Sequence, residues 1–256
     1  MPYIINKESD TSFLSSQGEK IAIEKETFTR ALLDCQSVIK QITNEIPVDI
    51  FRILGMRNLS AFIGELFVIS IAKESNHVFL KNPHQDGYPD LLLMDDQGKR
   101  IFEILKRQGK LRDKSPFSPF ANGGVEVKAT CGSVPSPKKC ASMGIEKPDI
   151  GDTRINIMQS YDWKAHHRET NNLIGILWDF HDRIPQIVAV FFGNNLTEND
   201  WGKIVQPKAG GGRTTSVSIM PRNSVNKMYE NWIAVIDDQR YIDFFNKYNH
   251  GDLILK

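Results

Sequence analysis

The sequence predicts an α/β fold: a mixed central β-sheet flanked by helices. Three observations carry that expectation. Two short apolar runs broken by single charges, residues 87–93 and 123–130, each follow turn residues and read as strands. A longer apolar run, 173–180, leads through His181-Asp182-Arg183 into a returning run, 187–192, and reads as a hairpin on the far side of the sheet. Stretches with apolar residues at helical spacing stand near both ends of the chain. With 256 residues, 40% hydrophobic and 25% charged, the chain can bury a full core and has an ordinary globular composition. No run approaches the length needed to span a bilayer, and no basic-then-apolar leader opens the chain, so no membrane association and a cytoplasmic location are expected. Cys35, Cys131 and Cys140 are odd in number and widely spaced, which fits reduced thiols.

Taken in order, residues 1–24 form either a loose arm or a small N-terminal helix. Residues 26–46 read as a helix, with Phe28, Leu32, Leu33, Val38, Ile39 and Ile42 on its apolar face and Pro47 ending it. A second helical stretch follows over 48–54. Ser60 then caps a nearly all-apolar helix over 61–74. Residues 78–80 and 100–105 have strand character, separated by the strand 87–93 and the turn Asp95-Asp96-Gln97-Gly98-Lys99. Residues 108–122 form a loop, basic at its start and aromatic at its end, too long to be idle in a compact domain. It is placed either against DNA or in a dimer contact. Residues 131–147 read as a Gly/Ser/Pro/Lys-rich loop, 154–161 as a strand, and 196–201 as a short helix capped by Thr197. Amphipathic helices over 224–236 and 240–248 finish the chain as packing or dimerisation elements.

The chemistry concentrates between Gly87 and Thr130. If Asp90, Glu126 and Lys128 meet in space, two carboxylates and an ammonium converge at a sheet edge. Carboxylates held close repel one another and are desolvated at a cost, so they need a cation between them. Oxygen-only ligation suits Mg²⁺, which keeps several waters and reaches for phosphate oxygens. A nearby lysine can orient a water or stabilise developing charge. The chemistry that fits is metal-assisted phosphodiester hydrolysis.

Pro89-Asp90, followed by Glu126-Val127-Lys128 on a strand, resembles the PD-(D/E)xK nuclease superfamily, and within it the type II restriction endonucleases. The resemblance covers roughly residues 60–192. It implies a restriction-endonuclease-like sheet, Mg²⁺ held by Asp90, Glu126 and the backbone carbonyl of Val127, and Lys128 positioning the attacking water. It further implies a single nuclease domain over 1–256: an N-terminal helical part (1–57), a catalytic core with DNA-recognition insertions (58–192), and a C-terminal loop and helices (193–256). Glu65 has two readings. It either forms an exposed stripe on its helix, or points at the metal site, as a glutamate on the helix before the first active-site strand does in many superfamily members.

Net charge is only +1, which speaks against a general nucleic-acid coat. The distribution is uneven, however. From Lys99 to Lys139 there are ten Lys/Arg (99, 100, 106, 107, 110, 112, 114, 128, 138, 139) against three acids (103, 113, 126), an excess that would attract a phosphate backbone to the candidate site. Lys138, Lys139, Lys164 and Arg168 are candidate phosphate contacts, and His166 is a candidate contact to a phosphate or a base. Arg213 and Thr214, delivered by the glycine triplet 210–212, are candidate base contacts, since arginine is the commonest reader of guanine. The glycine segment lacks the lysine and spacing of a nucleotide-binding P-loop. A competing pair, Pro148-Asp149 with Asp162-Trp163-Lys164, is less favourable because Asp149 lies in a loop sequence and Trp163 is bulky between ligands. His166 and His167 are adjacent and, in a strand, face opposite ways, so they cannot hold one zinc ion. The expected function is a Mg²⁺-dependent, sequence-specific double-stranded DNA endonuclease working as a homodimer. A structure-specific repair nuclease of the same fold, a non-catalytic DNA-binding protein, and an enzyme of a small phosphorylated substrate are the alternatives.

Overall fold

The computed structural model describes residues 2–46, 48–165, 168–207 and 216–251. In chain order its elements are β1 (Tyr3–Ile5), β2 (Ser12–Leu14), β3 (Lys20–Ala22), α1 (Lys25–Glu45), α2 (Ile50–Glu74), β4 (Phe79–Lys81), β5 (Leu91–Leu93) and α3 (Asp96–Arg107). These are followed by β6 (Glu126–Thr130), α4 (Pro137–Ser142), β7 (Lys164–Ala165), β8 (Leu173–His181), β9 (Ile184–Gly193), β10 (Ser218–Ile219), α5 (Arg222–Glu230), β11 (Trp232–Ile236) and α6 (Gln239–Asn249). The main sheet has the order β1-β11-β9-β8-β6. Only β6 and β8 run parallel, and the remaining pairs are antiparallel, so the sheet is mixed as expected.

Two cores lie on the two faces of this sheet. Ile174, Ile176, Trp178 and Phe180 of β8 alternate onto one face, where α1 and α2 cover them with Phe28, Leu32, Ile63 and Phe67. Leu173 and Leu177 face the other way and meet Val225, Met228 and Phe245 of α5 and α6. The gap between those two leucines is Gly175, and the indole of Trp163 fills it: a Cβ there would stand 2.5 Å from the ring. Each buried side chain of this size stabilises the fold by roughly 1.5–3 kcal/mol.

Several elements differ from the sequence reading, each for a local reason. Residues 100–105 belong to a helix, α3, because the Asp95 carboxylate caps it by accepting the Gly98 N–H at 2.6 Å. Leu105, Ile101 and Phe102 then fall on one face against Leu92, Phe117 and Phe120. The aromatic end of the 108–122 loop is therefore buried packing beneath α3. Residues 154–161 form no strand but a 3-10 turn, Ile155–Ile157. The buried Asp179 carboxylate accepts the Arg154 and Ile155 N–H groups at 3.0 Å and the Tyr241 hydroxyl at 2.9 Å, which pins the turn to β8. The helix expected over 224–236 stops at Glu230, and the five apolar residues that follow are β11, buried one strand in from the edge. The N-terminal residues supply β1, the far edge of the sheet, which places β8 and β9 at its centre.

α1 stops where expected: Ile46 is extended, as suits a residue before proline. The two helical stretches expected over 48–74 are both present, parted within α2 at Gly55, whose backbone is not helical (φ 65°, ψ 163°); the second begins before Ser60, which therefore does not cap it. The Ser60 hydroxyl instead accepts the Trp178 indole N–H at 3.0 Å. At 25 residues α2 is long and apolar enough to cross a membrane by length and composition, which the sequence reading did not anticipate. Leu59, Ile63, Phe67 and Ile71 nevertheless line up against the sheet core. The three thiols are unpaired.

Candidate active site

The candidate site begins with a strand that cannot continue. β4 and β5 form an antiparallel hairpin with Lys81 opposite Leu91. Leu91 then joins β6 through two bonds to Val125, N–H to carbonyl in each direction at 3.0 Å. In that register the next bonding pair would be Pro89 with Val127. Proline has no N–H to give, and its carbonyl already accepts the Asn82 side-chain amide at 2.9 Å. The two strands therefore part at Asp90, leaving a wedge between them.

Asp90 fills that wedge. Its Oδ2 accepts the Val127 N–H at 2.8 Å, the bond a strand partner would have supplied. On the other edge of β6, the Glu126 N–H donates to the Asn172 carbonyl at 3.0 Å. Because N–H and C=O directions alternate along a strand, the Val127 carbonyl points into the wedge with its own N–H. The Glu126 carboxylate approaches the Asp90 N–H at 3.3 Å. The Lys128 ammonium is paired with Glu126 and stands 3.9 Å from Asp90 Oδ2. Gly124 makes this approach feasible, because a Cβ there would come within 2.3 Å of the Phe120 carbonyl and 2.4 Å of the Pro89 ring.

The electrostatics follow from crowding two acids in a poorly solvated wedge. Burial, and then the Glu126 charge, push the Asp90 carboxyl up to about 7, against the pull of Lys128 and the Val127 N–H. Burial favours the neutral amine of Lys128, but Glu126 and Asp90 together outweigh it and hold the ammonium protonated well above the ordinary lysine range. The Tyr88 phenol, whose oxygen accepts the Thr170 N–H at 2.6 Å, is pushed up by burial and by Glu126. Tyr88 thus belongs to the electrostatics of the site, although the sequence reading passed over it. Its only signal there was adjacency to Pro89-Asp90.

The strand expected over 87–93 is formed only by Leu91–Leu93, so Asp90 precedes β5. A cleft of about 230 Å³ opens beside the wedge, lined by Asp90, by Val127 and Lys128 of β6, and by Ser60, Gly64 and Glu65 of α2. Glu65 therefore shares the cleft, yet its carboxylate is engaged by Lys81 of β4. Lys81 was not singled out from sequence. Its place follows from the hairpin register, which sets it opposite Leu91, next to Asp90. Among the described residues no three His, Cys, Asp or Glu side chains stand close enough together to hold a metal ion. The oxygen donors of the wedge are Asp90, Glu126 and the Val127 carbonyl, with the Lys128 ammonium lying against both carboxylates. This set is chemically fit for Mg²⁺: all hard oxygen, and carrying one carboxyl that its surroundings drive toward neutrality.

The expected DNA contacts lie elsewhere. Lys138 and Lys139 are exposed on α4, a short helix that Ser136 caps where a flexible loop was expected. Lys164 is exposed on β7, and Arg168 lies 3.8 Å from the Glu198 carboxylate. None of these four lines the cleft. His166, Arg213 and Thr214 lie outside the described residues. The competing pair gains no support from the geometry. Trp163 is buried in the core against Tyr161 and Phe191, and Asp149 is exposed in a turn closed on the Asp152 carboxylate. Comparison with family models, with curated proteins and with solved structures finds no match to this chain.

Proposed function

We propose that this chain is a Mg²⁺-dependent endonuclease of double-stranded DNA, of the PD-(D/E)xK kind and with a restriction-endonuclease-like arrangement of its mixed sheet. The observation that carries the reading is the wedge at Pro89: Asp90 bonded to the Val127 N–H, with Glu126 and Lys128 on the adjoining strand. Asp90, Glu126 and the Val127 carbonyl would hold the ion. Once bound, Mg²⁺ would act as a Lewis acid toward a phosphoryl oxygen and relieve the repulsion between the two acids. Lys128, released from Glu126, would present its ammonium protons to a water in line with the scissile phosphorus and to the charge growing on the phosphate. Water attack breaks one P–O ester bond, and the departing alkoxide takes up a proton, leaving a phosphate monoester and an alcohol. A two-fold dimer would set one such site on each strand of a palindromic target.

The pairing of Lys128 with Glu126 favours one rival reading, a DNA-binding protein in which the ammonium permanently holds the cation's place. Digestion of plasmid and phage DNA with Mg²⁺ separates the two. The nuclease reading expects discrete fragments from the wild type, and a loss of at least ~10³-fold in rate for Asp90→Ala and Lys128→Ala. DNA left intact by a folded protein that still binds it in EDTA would establish the rival.

A further inference from the structure

A second concave site lies away from the wedge. A groove of about 750 Å³ runs along α6, on the sheet face opposite α1 and α2. Its volume is within the range of small-molecule sites, roughly 300–1,000 Å³. One wall is a single stripe of α6: Arg240, Asp243, Phe244, Lys247 and Tyr248, spaced three and four residues apart. The 3-10 turn pinned by Asp179 forms the other wall, with Asn156 and Gln159 offering amide groups beside Met158.

Charge is sorted along the groove. At the N-terminal end of α6, Arg240 is neutralised by Asp238 at 2.6 Å, while Asp243, one turn before Lys247, accepts an amide hydrogen from Gln239 at 2.7 Å and keeps its negative charge. The C-terminal end gathers Arg222, Lys247 and His250. Arg222 is anchored there: its guanidinium lies 4.4 Å over the Tyr248 ring, bonds the Tyr248 carbonyl, and stands 3.4 Å from His250 Nε2. The Tyr248 carbonyl, which would repel an anion at a helix end, is thereby already occupied. A guanidinium fixed in this way keeps further donors for a planar anion, and phosphate is the anion that arginine and lysine recognise together. Between the two ends the half-buried Phe244 ring stacks parallel to Tyr248 at 5.6 Å, and both rings line the same groove as Asn156 and Gln159.

We propose that the α6 groove is a binding site for a nucleoside monophosphate. The phosphate is held by Arg222 and Lys247, and the base lies along Phe244 and Met158 within reach of Asn156 and Gln159. This inference does not rest on the nuclease reading, because no residue of the groove lines the wedge.

Calorimetric titration of the whole chain with AMP, GMP, CMP and UMP, and separately with inorganic phosphate, tests it. All titrations are made in EDTA, so that the wedge binds no metal. At least one nucleotide is expected to bind with a dissociation constant below ~1 mM, and inorganic phosphate about tenfold more weakly. Lys247→Glu, at an exposed position that leaves the fold intact, and Arg222→Gln should each weaken the nucleotide about tenfold or more. Asp90→Asn should leave it unchanged. The proposal is overturned if no nucleotide binds, if both groove variants bind as the wild type does, or if phosphate alone binds as tightly as the nucleotides.

Discussion

Asp90 sits where a carboxylate is costly to ionise, with Glu126 beside it and little water around it, and that cost sets a pH dependence. Its carboxyl is pushed up to about 7 in the fold, whereas in the unfolded chain it titrates near its ordinary 3.8. Between those values the folded protein holds a proton that the unfolded chain has lost. The stability this group contributes is complete below about pH 4 and disappears as pH rises through 7. Asp90→Asn keeps an oxygen to accept the Val127 N–H but has nothing to ionise. In EDTA the variant should therefore be more stable than the wild type by ~2 kcal/mol at pH 8, with the advantage shrinking toward pH 5. Urea melts at the two pH values check this, and equal gains at both would show that the ionisation of Asp90 is not the cause. The motif residues were legible because Pro89-Asp90 and Glu126-Val127-Lys128 are local spacings, although only the second lies on a strand and Pro89-Asp90 stands just before β5. Tyr88 and Lys81 were not, because only the hairpin register and the placement of Thr170 bring them to the wedge.

Elements were legible in proportion to how far their own sequence decides them. Residues 173–193 are apolar enough to be strands anywhere, and α1 shows its period and its stop. The segment that became α3 reads either way by apolar pattern. It is settled by the Asp95 cap and by the Phe117 and Phe120 rings that receive it. Trp232–Ile236 is too short a run to distinguish helix from strand, and only its position between β1 and β9 decides. The join of β5 to β6 is the element-scale feature on which the site depends, and Gly124 holds it. An alanine there must push the Phe120 carbonyl or the Pro89 ring aside, since its Cβ would lie 2.3 and 2.4 Å from them. Gly124→Ala should cost ~1–3 kcal/mol of stability and displace Asp90 from Val127. If the protein cleaves DNA, cleavage should fall by at least ~10²-fold in the protein that remains folded. Wild-type stability with wild-type cleavage would mean that the wedge tolerates a wider opening.

At the scale of the whole molecule the question is where a duplex would lie on a chain whose net charge is only +1. As a strand, residues 100–105 would scatter their charges to two faces. As the helix α3 they gather Lys99, Arg100, Lys106 and Arg107 on one outward stripe, continued by Lys110, Arg112 and Lys114 in the loop that follows, all exposed. Glu103, 3.8 Å from Lys106, and Asp113 are the acids among them. This ridge rides on the same strand-helix unit as Asp90, separated from it by β5 and the Asp95 cap. Arg168, by contrast, already has Glu198 beside it. If the protein binds DNA as proposed, phosphate contacts are expected chiefly from α3 and the loop after it. Each contact contributes about 0.9 to the slope of log affinity against log salt concentration. The variant Lys106→Glu/Arg107→Glu/Lys110→Glu/Arg112→Glu should lower that slope by ~3–4 in anisotropy titrations of a short duplex in EDTA. Lys138→Glu/Lys139→Glu should lower it by ~1 or less. The reverse ranking would place the duplex along α4 and take α3 out of the DNA path, and equal slopes for all three proteins would remove both.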